Sequence, residues 1–308
     1  MRQRLALILK VVLGLVFILS AILKVADMDK FELYIYSYHI FNLSASFIIA
    51  RIAIIAELIL GIGLVINRLH KPVWWGCVTM LVCYTLLMAY ALILGRTDNC
   101  HCFGEVVEFN PWQTIIKNAV LLILFALIYK VKEKPLKRKV LTAAGIVIGC
   151  IAAVFVASPP DNFYYDSEPM YGYVEPNLLY YAIQNPPLDS LKLNEGRKMV
   201  GIFSASCDYC KIAAKKIGLM QEHNGFPEEN IQYVFMGSEE QVKNFFIESE
   251  SKKLPYIIYD DPIFLMKLTN GAIPIIILLD NGKIYKEYDF REVNEKVVKE
   301  FFENTNEP

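Results

Sequence analysis

The sequence carries almost no net charge: 31 Lys and Arg stand against 32 Asp and Glu over 308 residues, for a formal charge of −1. Its basic residues lie scattered between long apolar runs rather than gathered into a stripe that could track a phosphate backbone. That excludes a strongly basic nucleic-acid binder. Cysteine is sparse as well. Seven in this length, an odd number, exclude a small scaffold held together by a dense disulfide framework.

Apolar residues are abundant, at 55% of the chain with a mean hydropathy of +0.36, and they are unevenly spread. Residues 1–157 hold 16 Lys and Arg and 8 Asp and Glu, a net +8, whereas residues 158–308 hold 15 and 24, a net −9. Two halves built for different solvents are implied. A spanning helix needs about 20 mostly apolar residues to cross roughly 30 Å of hydrocarbon. Five runs of that kind are expected, at Leu5 to Leu23, Phe47 to Ile66, Val73 to Leu94, Trp112 to Tyr129 and Val140 to Ala157.

The short loops set the orientation. Arg2 and Arg4, then Arg68 and Lys71, then Lys130, Lys132, Lys134, Lys137, Arg138 and Lys139 all fall on one side, while Lys24, Lys30 and Arg96 fall on the other among comparable acids. The N-terminus is therefore expected in the cytoplasm and residues 158–308 outside it. A rival reading takes Met1 to Ala26 as a cleaved signal, but Lys10 interrupts the run and the cleavage pattern near Val25 is poor.

Ionisable residues at bilayer depth are costly and usually face a bundle interior. Glu57 sits near the middle of the second run, either as a proton-coupled group or as a buried structural hydrogen-bond acceptor. Lys10, Arg51 and Lys117 lie nearer span ends and are expected to snorkel to the interface. Cys77, Cys83 and Cys150 lie within spans, where a free cysteine behaves as a small hydrophobe. Cys83 and Cys150 both fall near mid-bilayer, so a transmembrane dithiol is the alternative.

Between the third and fourth runs stands Cys100-His101-Cys102-Phe103-Gly104. Two cysteines at i and i+2 can close a small strained ring, and strain makes a disulfide easier to reduce. His101 between them could exchange protons with a thiol. A metal site and a purely structural disulfide are the alternatives. Adjacent residues of an extended segment point to opposite sides, which disfavours convergence on one ion, and no metal is expected.

With these residues in view, Ala21-Ile-Leu-Lys24-Val-Ala-Asp27, Glu57-Leu-Ile-Leu-Gly-Ile-Gly63, Cys100-His-Cys-Phe-Gly104 and the Lys117-Asn118 pair resemble the DoxX-like membrane family that includes the methylamine utilisation protein MauE. The resemblance covers about residues 1–130. It implies a four-helix membrane module tied to disulfide chemistry outside the cytoplasm, with the Cys-x-Cys-Phe-Gly loop as its redox-bearing part. His101 in the middle position and a fifth span depart from the pattern.

After Ala157 the composition turns to Pro, Tyr, Asn and acids up to about Glu195, read as a linker over residues 158–195 with a short helix at Pro176 to Gln184. From residue 196 to 308 strands and helices alternate. Met199 to Phe203 reads as a strand and Cys207 to Met220 as an amphipathic helix. Ile231 to Met236 reads as a second strand, followed by a helix from Glu239. The strands Ile275 to Leu279 and Lys283 to Lys286 flank Asp280-Asn-Gly282, a strong hairpin signal. A last helix is expected from Val293 to Phe302.

Cys207 and Cys210 thus fall at a strand-to-helix junction, where free N–H groups and the helix dipole favour a thiolate on Cys207. With Cys210 one turn on, a mixed disulfide at Cys207 can be resolved internally. A zinc half-site would need a second pair that this half lacks, and a structural disulfide is the remaining alternative. This segment resembles the thioredoxin fold over about residues 195–303. The resemblance implies that Ile273-Pro274 forms a cis-proline groove for a partner's extended chain, and that no cofactor is required there. Ala205 stands where many relatives have Trp, and Asp208 should slightly oppose the thiolate.

The expected fold class is multi-domain: an all-α transmembrane helix bundle of about five spans, residues 1–157, followed by an extracytoplasmic α/β thioredoxin-like domain, residues 196–308. The expected function is a membrane-anchored thiol-disulfide oxidoreductase of a bacterial inner membrane. In it Cys207 and Cys210 exchange with cysteine-containing client proteins and with Cys100 and Cys102. A quinone near Glu57 is the candidate terminal carrier. A non-catalytic assembly, chaperone or metal-delivery factor is the alternative, and transport through the bundle a third.

Overall fold

The computed structural model describes residues 2–66, 70–100, 102–105, 109–130, 139–159 and 173–303, and divides into two compact units, residues 1–35 with 45–159 and residues 36–44 with 160–308. The first unit is helical. Its elements are α1 (Arg2–Ala26), α2 (Met28–Tyr36, whose last residue belongs to the second unit), α3 (Leu43–Ile66, whose first two residues belong to the second unit), α4 (His70–Ile93), the short strand β1 (Cys102–Glu105), α5 (Pro111–Ile128) and α6 (Lys139–Ala157). Among the described residues α1, α3, α4 and α5 are long and apolar enough to cross a membrane, whereas α6 is apolar but shorter. The helix α2 follows the first span directly and was not anticipated; a nine-residue helix mixing acids, Lys and aromatics carries no span-length signal.

Leu13, Phe17, Leu64, Val73, Cys77, Leu81, Phe125 and Ile128 make the interior of the bundle. The crossing of α1 and α3 needs glycine. A Cβ on Gly14 would stand 2.8 Å from the Gly61 carbonyl oxygen, and one on Gly61 would stand 2.9 Å from that of Gly14. Small residues at such a crossing let two backbones approach, which is how helices associate where lipid removes the hydrophobic driving force.

Two sequence expectations fail here. Lys10 and Arg51 do not snorkel: both side chains are buried in the bundle. Arg51 forms an ion pair with buried Glu32, and donates to the carbonyl oxygens of Phe47 at 2.8 Å, Ser158 at 3.0 Å and Pro159 at 2.9 Å. Lys24, counted above as an outer-loop charge, belongs to α1 and is also buried. The reason is the same in each case: distance from a span end predicts snorkelling only for an isolated helix, and here neighbouring helices supply polar partners at depth.

The second unit is an α/β layer structure. It contains α7 (Pro176–Ala182), β2 (Arg197–Ser204), α8 (Asp208–Asn224), β3 (Ile231–Met236), α9 (Glu239–Ser249), β4 (Tyr256–Ile258), α10 (Pro262–Leu268), β5 (Ile275–Asp280), β6 (Lys283–Asp289) and α11 (Glu295–Glu303). The sheet order is β4-β3-β2-β5-β6, with β2 parallel to β3, β3 parallel to β4, and antiparallel pairings of β2 with β5 and β5 with β6. This is a thioredoxin-like arrangement with one short parallel strand added at an edge. The hairpin between β5 and β6 turns through Asn281 at φ 48° and Gly282 at φ 79°, the positive values that an Asn-Gly hairpin turn requires.

Alternation along β2 sorts the two faces. Val200 and Ile202 point into a core shared with Val234, Ile277 and Leu279 of the sheet and with Leu265 and Leu268 of α10. Phe203 points the other way, into an aromatic cluster with Tyr233, Phe235 and Phe245 that α8 covers. The first of these cores corrects the expected linker. From residue 173 on, the segment read as a tether is part of this unit: Val174, Leu179, Ile183, Leu188, Leu191 and Leu193 are buried against the sheet. Residues 160–172 lie outside the described residues. The strand β4 and helix α10 were missed because three and seven residues are too short for periodicity, although Asp261, whose carboxylate accepts from the Phe264 N–H at 3.0 Å, and Pro262 carried a helix-start signal.

Candidate active site: two cysteine pairs

Cys207 is the N-cap of α8, with extended backbone at φ −91° and ψ 121°, and its Sγ accepts from the Cys210 N–H at 3.3 Å. Cys210 is fully buried, and its Sγ accepts from the Ser204 N–H at 3.4 Å. Cys207 is half-exposed. The consequences for the two thiols are opposite. A hydrogen bond from the Cys210 thiol, opposed by partial burial and helped by the N–H groups of Cys210 and Tyr209, lowers the pKa of Cys207 to about 6. Burial, then the Cys207 thiolate beside it, pushes Cys210 far above the ordinary thiol range. The pair therefore sets one half-exposed thiol shifted toward its thiolate against one buried thiol that keeps its proton.

Asp208 does raise the pKa of Cys207, as the smallest of the causes, and its carboxylate is engaged by Lys211 at 2.8 Å, which also pairs with Glu248 at 2.7 Å. The Ile273-Pro274 peptide is cis. Since Ile275 pairs with Ile202 in the antiparallel register of β2 and β5, Pro274 stands at the sheet end where β2 runs out toward Cys207. Sequence reasoning missed the neighbours of Tyr209. Its ring stacks on Phe290 at a centroid distance of 5.3 Å, and the Phe290 carbonyl accepts from the buried Lys216 ammonium at 2.8 Å. No local pattern joins residues this far apart.

One prediction follows from the lowered pKa. Below about pH 6 Cys207 is protonated and unreactive, and above it the thiolate prevails, so alkylation of the full chain by iodoacetamide at this residue should rise to a plateau with its midpoint near pH 6. Cys210 should stay unmodified throughout that range. Peptide mass spectrometry of pH-stepped samples reads both. A midpoint near pH 8.5, that of a free cysteine, would contradict the geometry.

The other pair is built where β1 meets α5. The helix starts in a capping box: Asn110 Oδ1 accepts from the Gln113 N–H at 2.8 Å, and Gln113 Oε1 from the Asn110 N–H at 3.1 Å, with Pro111 in the first turn. That start fixes Cys100 twice, since the Cys100 N–H donates to the Phe109 carbonyl at 2.9 Å and the Thr114 hydroxyl donates to Cys100 Sγ at 2.9 Å. Both cysteines are buried. The hydrogen bond from the Cys102 thiol, with burial opposing and Thr114 assisting, lowers Cys100 to about 6, while Cys102 is raised well above the usual thiol range by that same hydrogen bond and by burial. His101 lies outside the described residues.

Gly104 anchors the loop from below. At φ 58° and with a Cβ position only 2.3 Å from Asp27 Oδ2 and 3.1 Å from the Leu23 carbonyl oxygen, it presses β1 against the end of α1. Lys117 stands over the rings of Phe103 at 4.8 Å and Phe109 at 5.5 Å. Beneath Cys102 lies Glu57. Lys24 Nζ donates to both its carboxylate oxygens at 2.9 Å, to Ser20 Oγ at 2.6 Å and to the Cys102 carbonyl at 2.9 Å. Ser20 Oγ lies 3.1 Å from Glu57 Oε2 and 2.8 Å from that same carbonyl. A cavity of about 30 Å³ is lined by Lys24, Glu57, Tyr84, Cys102, Lys117 and Asn118 among others. It has room for about one water molecule. Cys83, read near mid-bilayer with Cys150 as a conceivable dithiol, is exposed on α4, while Cys150 is buried on α6.

The two halves have separate likenesses among known proteins. Residues 2–130 match the family model described as methylamine utilisation protein MauE. The chain is 28% identical to Protein TlpB of Flavobacterium psychrophilum over 336 residues, covering 91% of this chain and 90% of that protein. It is 25% identical over 116 residues to the methylamine utilization protein MauE of Paracoccus denitrificans, covering 37% of this chain and 62% of that protein. Among solved structures, the thioredoxin domain of a thiol-disulfide oxidoreductase from Bacteroides vulgatus is 21% identical, with 37% of this chain and 84% of that chain covered and a TM-score of 0.28. A secreted thiol-disulfide isomerase from Corynebacterium glutamicum is 18% identical, covering 37% of this chain and 72% of that chain, with a TM-score of 0.28.

Proposed function

We propose that the chain is a membrane-anchored thiol-disulfide oxidoreductase. Cys207 and Cys210 exchange disulfides with cysteine-containing client proteins on the outer side of the membrane, and with Cys100 and Cys102 of the helical unit. The observation that carries this reading is that each pair sets one thiol hydrogen-bonded by its partner, and lowered to about 6, against a buried partner that holds its proton, although Cys207 is half-exposed and Cys100 is buried. That asymmetry is what dithiol exchange needs: an attacking thiolate at ambient pH, and a second thiol released only after a mixed disulfide has formed.

The electrons balance as follows. Starting from a Cys207–Cys210 disulfide and a reduced membrane pair, the Cys100 thiolate attacks Cys207, the Cys207–Cys210 bond breaks and Cys210 leaves as a thiolate that takes a proton from solvent. Cys102 then gives up its proton and attacks Cys100, which closes the Cys100–Cys102 bond and expels Cys207 as a thiolate. The reverse sequence runs the couple the other way. In support of a shared side, basic residues of the short loops favour a cytoplasmic N-terminus, and with the shorter apolar helix α6 taken as a fifth crossing residues 158–308 lie outside. Both couples are carried on one polypeptide, which raises the concentration of each for the other.

The test is to trap the intermediate. In the full chain carrying Cys102→Ser and Cys210→Ala, neither resolving thiol remains, and a Cys100–Cys207 disulfide is expected to accumulate in cells as a cross-linked peptide pair. Its absence, together with full cellular function of Cys207→Ser, would return the protein to the assembly reading. A membrane-impermeant maleimide that labels Cys207 only after lysis would overturn the orientation.

A further inference from the structure

The exchange scheme leaves one proton unaccounted for. Cys102 must lose its proton to resolve a mixed disulfide at Cys100, yet it is buried, and the groups around it hold the proton on. We propose that Glu57, seated by Lys24, is the internal base that takes this proton and returns it when the pair is reduced. The inference rests on the exchange reading above and concerns the chemistry of the Cys-x-Cys pair alone.

Geometry supports it on three counts. Glu57 is the acid that lines the cavity that Cys102 also lines, facing it with Lys24 from α1, Tyr84 from α4, and Lys117 and Asn118 from α5. Lys24 and Ser20 touch both the Glu57 carboxylate and the Cys102 backbone, so the acid and the thiol-bearing strand are held in one hydrogen-bonded frame. The Tyr84 hydroxyl is buried without a hydrogen bond among the described residues, and Tyr84 lines the same cavity, which has room for about one water as a proton carrier.

The step is balanced. The proton passes from Cys102 Sγ to the Glu57 carboxylate. The Cys102 thiolate then attacks Cys100 Sγ of a Cys100 mixed disulfide, the new Cys100–Cys102 bond forms, and the outgoing thiol leaves as a thiolate. Lys24 is a positioning residue in this scheme. It fixes the carboxylate and offsets the negative charge that moves between acid and thiol.

The experiment uses the full chain with Cys207→Ser and Cys210→Ser, in lipid nanodiscs, reduced and then mixed with oxidised glutathione. Acid quenching and peptide mass spectrometry follow two steps: formation of the Cys100–glutathione adduct, and its resolution to the Cys100–Cys102 disulfide. Adding Glu57→Gln should leave adduct formation unchanged and slow resolution about a hundredfold, the usual worth of a positioned base, with Glu57→Asp recovering part of the rate. Unchanged resolution in Glu57→Gln would overturn the proposal, and so would equal slowing of both steps, the mark of a structural role.

Should Glu57→Gln not fold, the unaltered protein decides by its dependence on external base. At one fixed pH an internal base gives a resolution rate that does not change with buffer concentration, whereas reliance on bulk solvent gives a rate that rises with buffer concentration and overturns the relay. Because glutathione replaces Cys207, a working relay with no trapped Cys100–Cys207 species would sink only the exchange between the two units.

Discussion

Replacing Lys24 with alanine is expected to destabilise the helical unit by about 3–5 kcal/mol, the cost of leaving one member of a buried ion pair without its partner. Lys24 is 2% exposed and Glu57 3%, so neither charge can turn to solvent. The ammonium's three N–H groups serve the Glu57 carboxylate, the Ser20 hydroxyl and the Cys102 carbonyl, all within 2.9 Å, so its removal leaves a buried carboxylate without its counter-charge. Removing both charges should be milder than removing Lys24 alone. A Lys24→Met, Glu57→Gln double variant leaves no uncompensated ion, and a well-packed neutral replacement of a buried pair is often near neutral in cost. The double-mutant cycle, read by detergent denaturation of the purified protein, should thus show strong positive coupling. Independent, additive losses, or a Lys24→Ala variant within about 0.5 kcal/mol of the parent, would mean the charges are hydrated and the pair is not structural.

That pair also marks where the sequence stopped being legible. Glu57 stood out because a lone acid in a long apolar run is conspicuous, but its partner lies 33 residues away in another helix, and proximity to a span end placed Lys24 in a loop. Its spacing from Ser20, four residues on one helix face, was the available signal. Arg51 and Lys10 failed for the same reason. Snorkelling is a property of one helix in lipid, and pairing is a property of the bundle. Elements whose cause is local read correctly: the Asn281-Gly282 hairpin and the strand-to-helix junction at Cys207 follow from two and four residues respectively. The segment after residue 173 did not, because a proline- and tyrosine-rich composition resembles a tether whether or not its Leu179, Leu188 and Leu193 find a sheet to cover.

Mixed disulfides between Cys207 and client proteins should persist about a thousandfold longer, or more, when Cys210 is replaced by alanine. Resolution in the parent is intramolecular. The Cys210 backbone donates to Cys207 Sγ at 3.3 Å, and its thiol is a hydrogen-bond partner of the same sulfur, so the attacking atom waits beside the bond it will break. A group so placed acts at an effective concentration far above the millimolar thiols of a cell envelope or an assay. The attack forms the Cys207–Cys210 bond, releases the client as a thiol and needs no outside reagent. With alanine there, an external thiol has to approach from the exposed side of Cys207 instead, since Cys210 itself is fully buried. Non-reducing electrophoresis of the Cys210→Ala protein, chased with a fixed excess of glutathione, measures the lifetime directly, and equal lifetimes in parent and variant would show that Cys210 is not the resolving thiol.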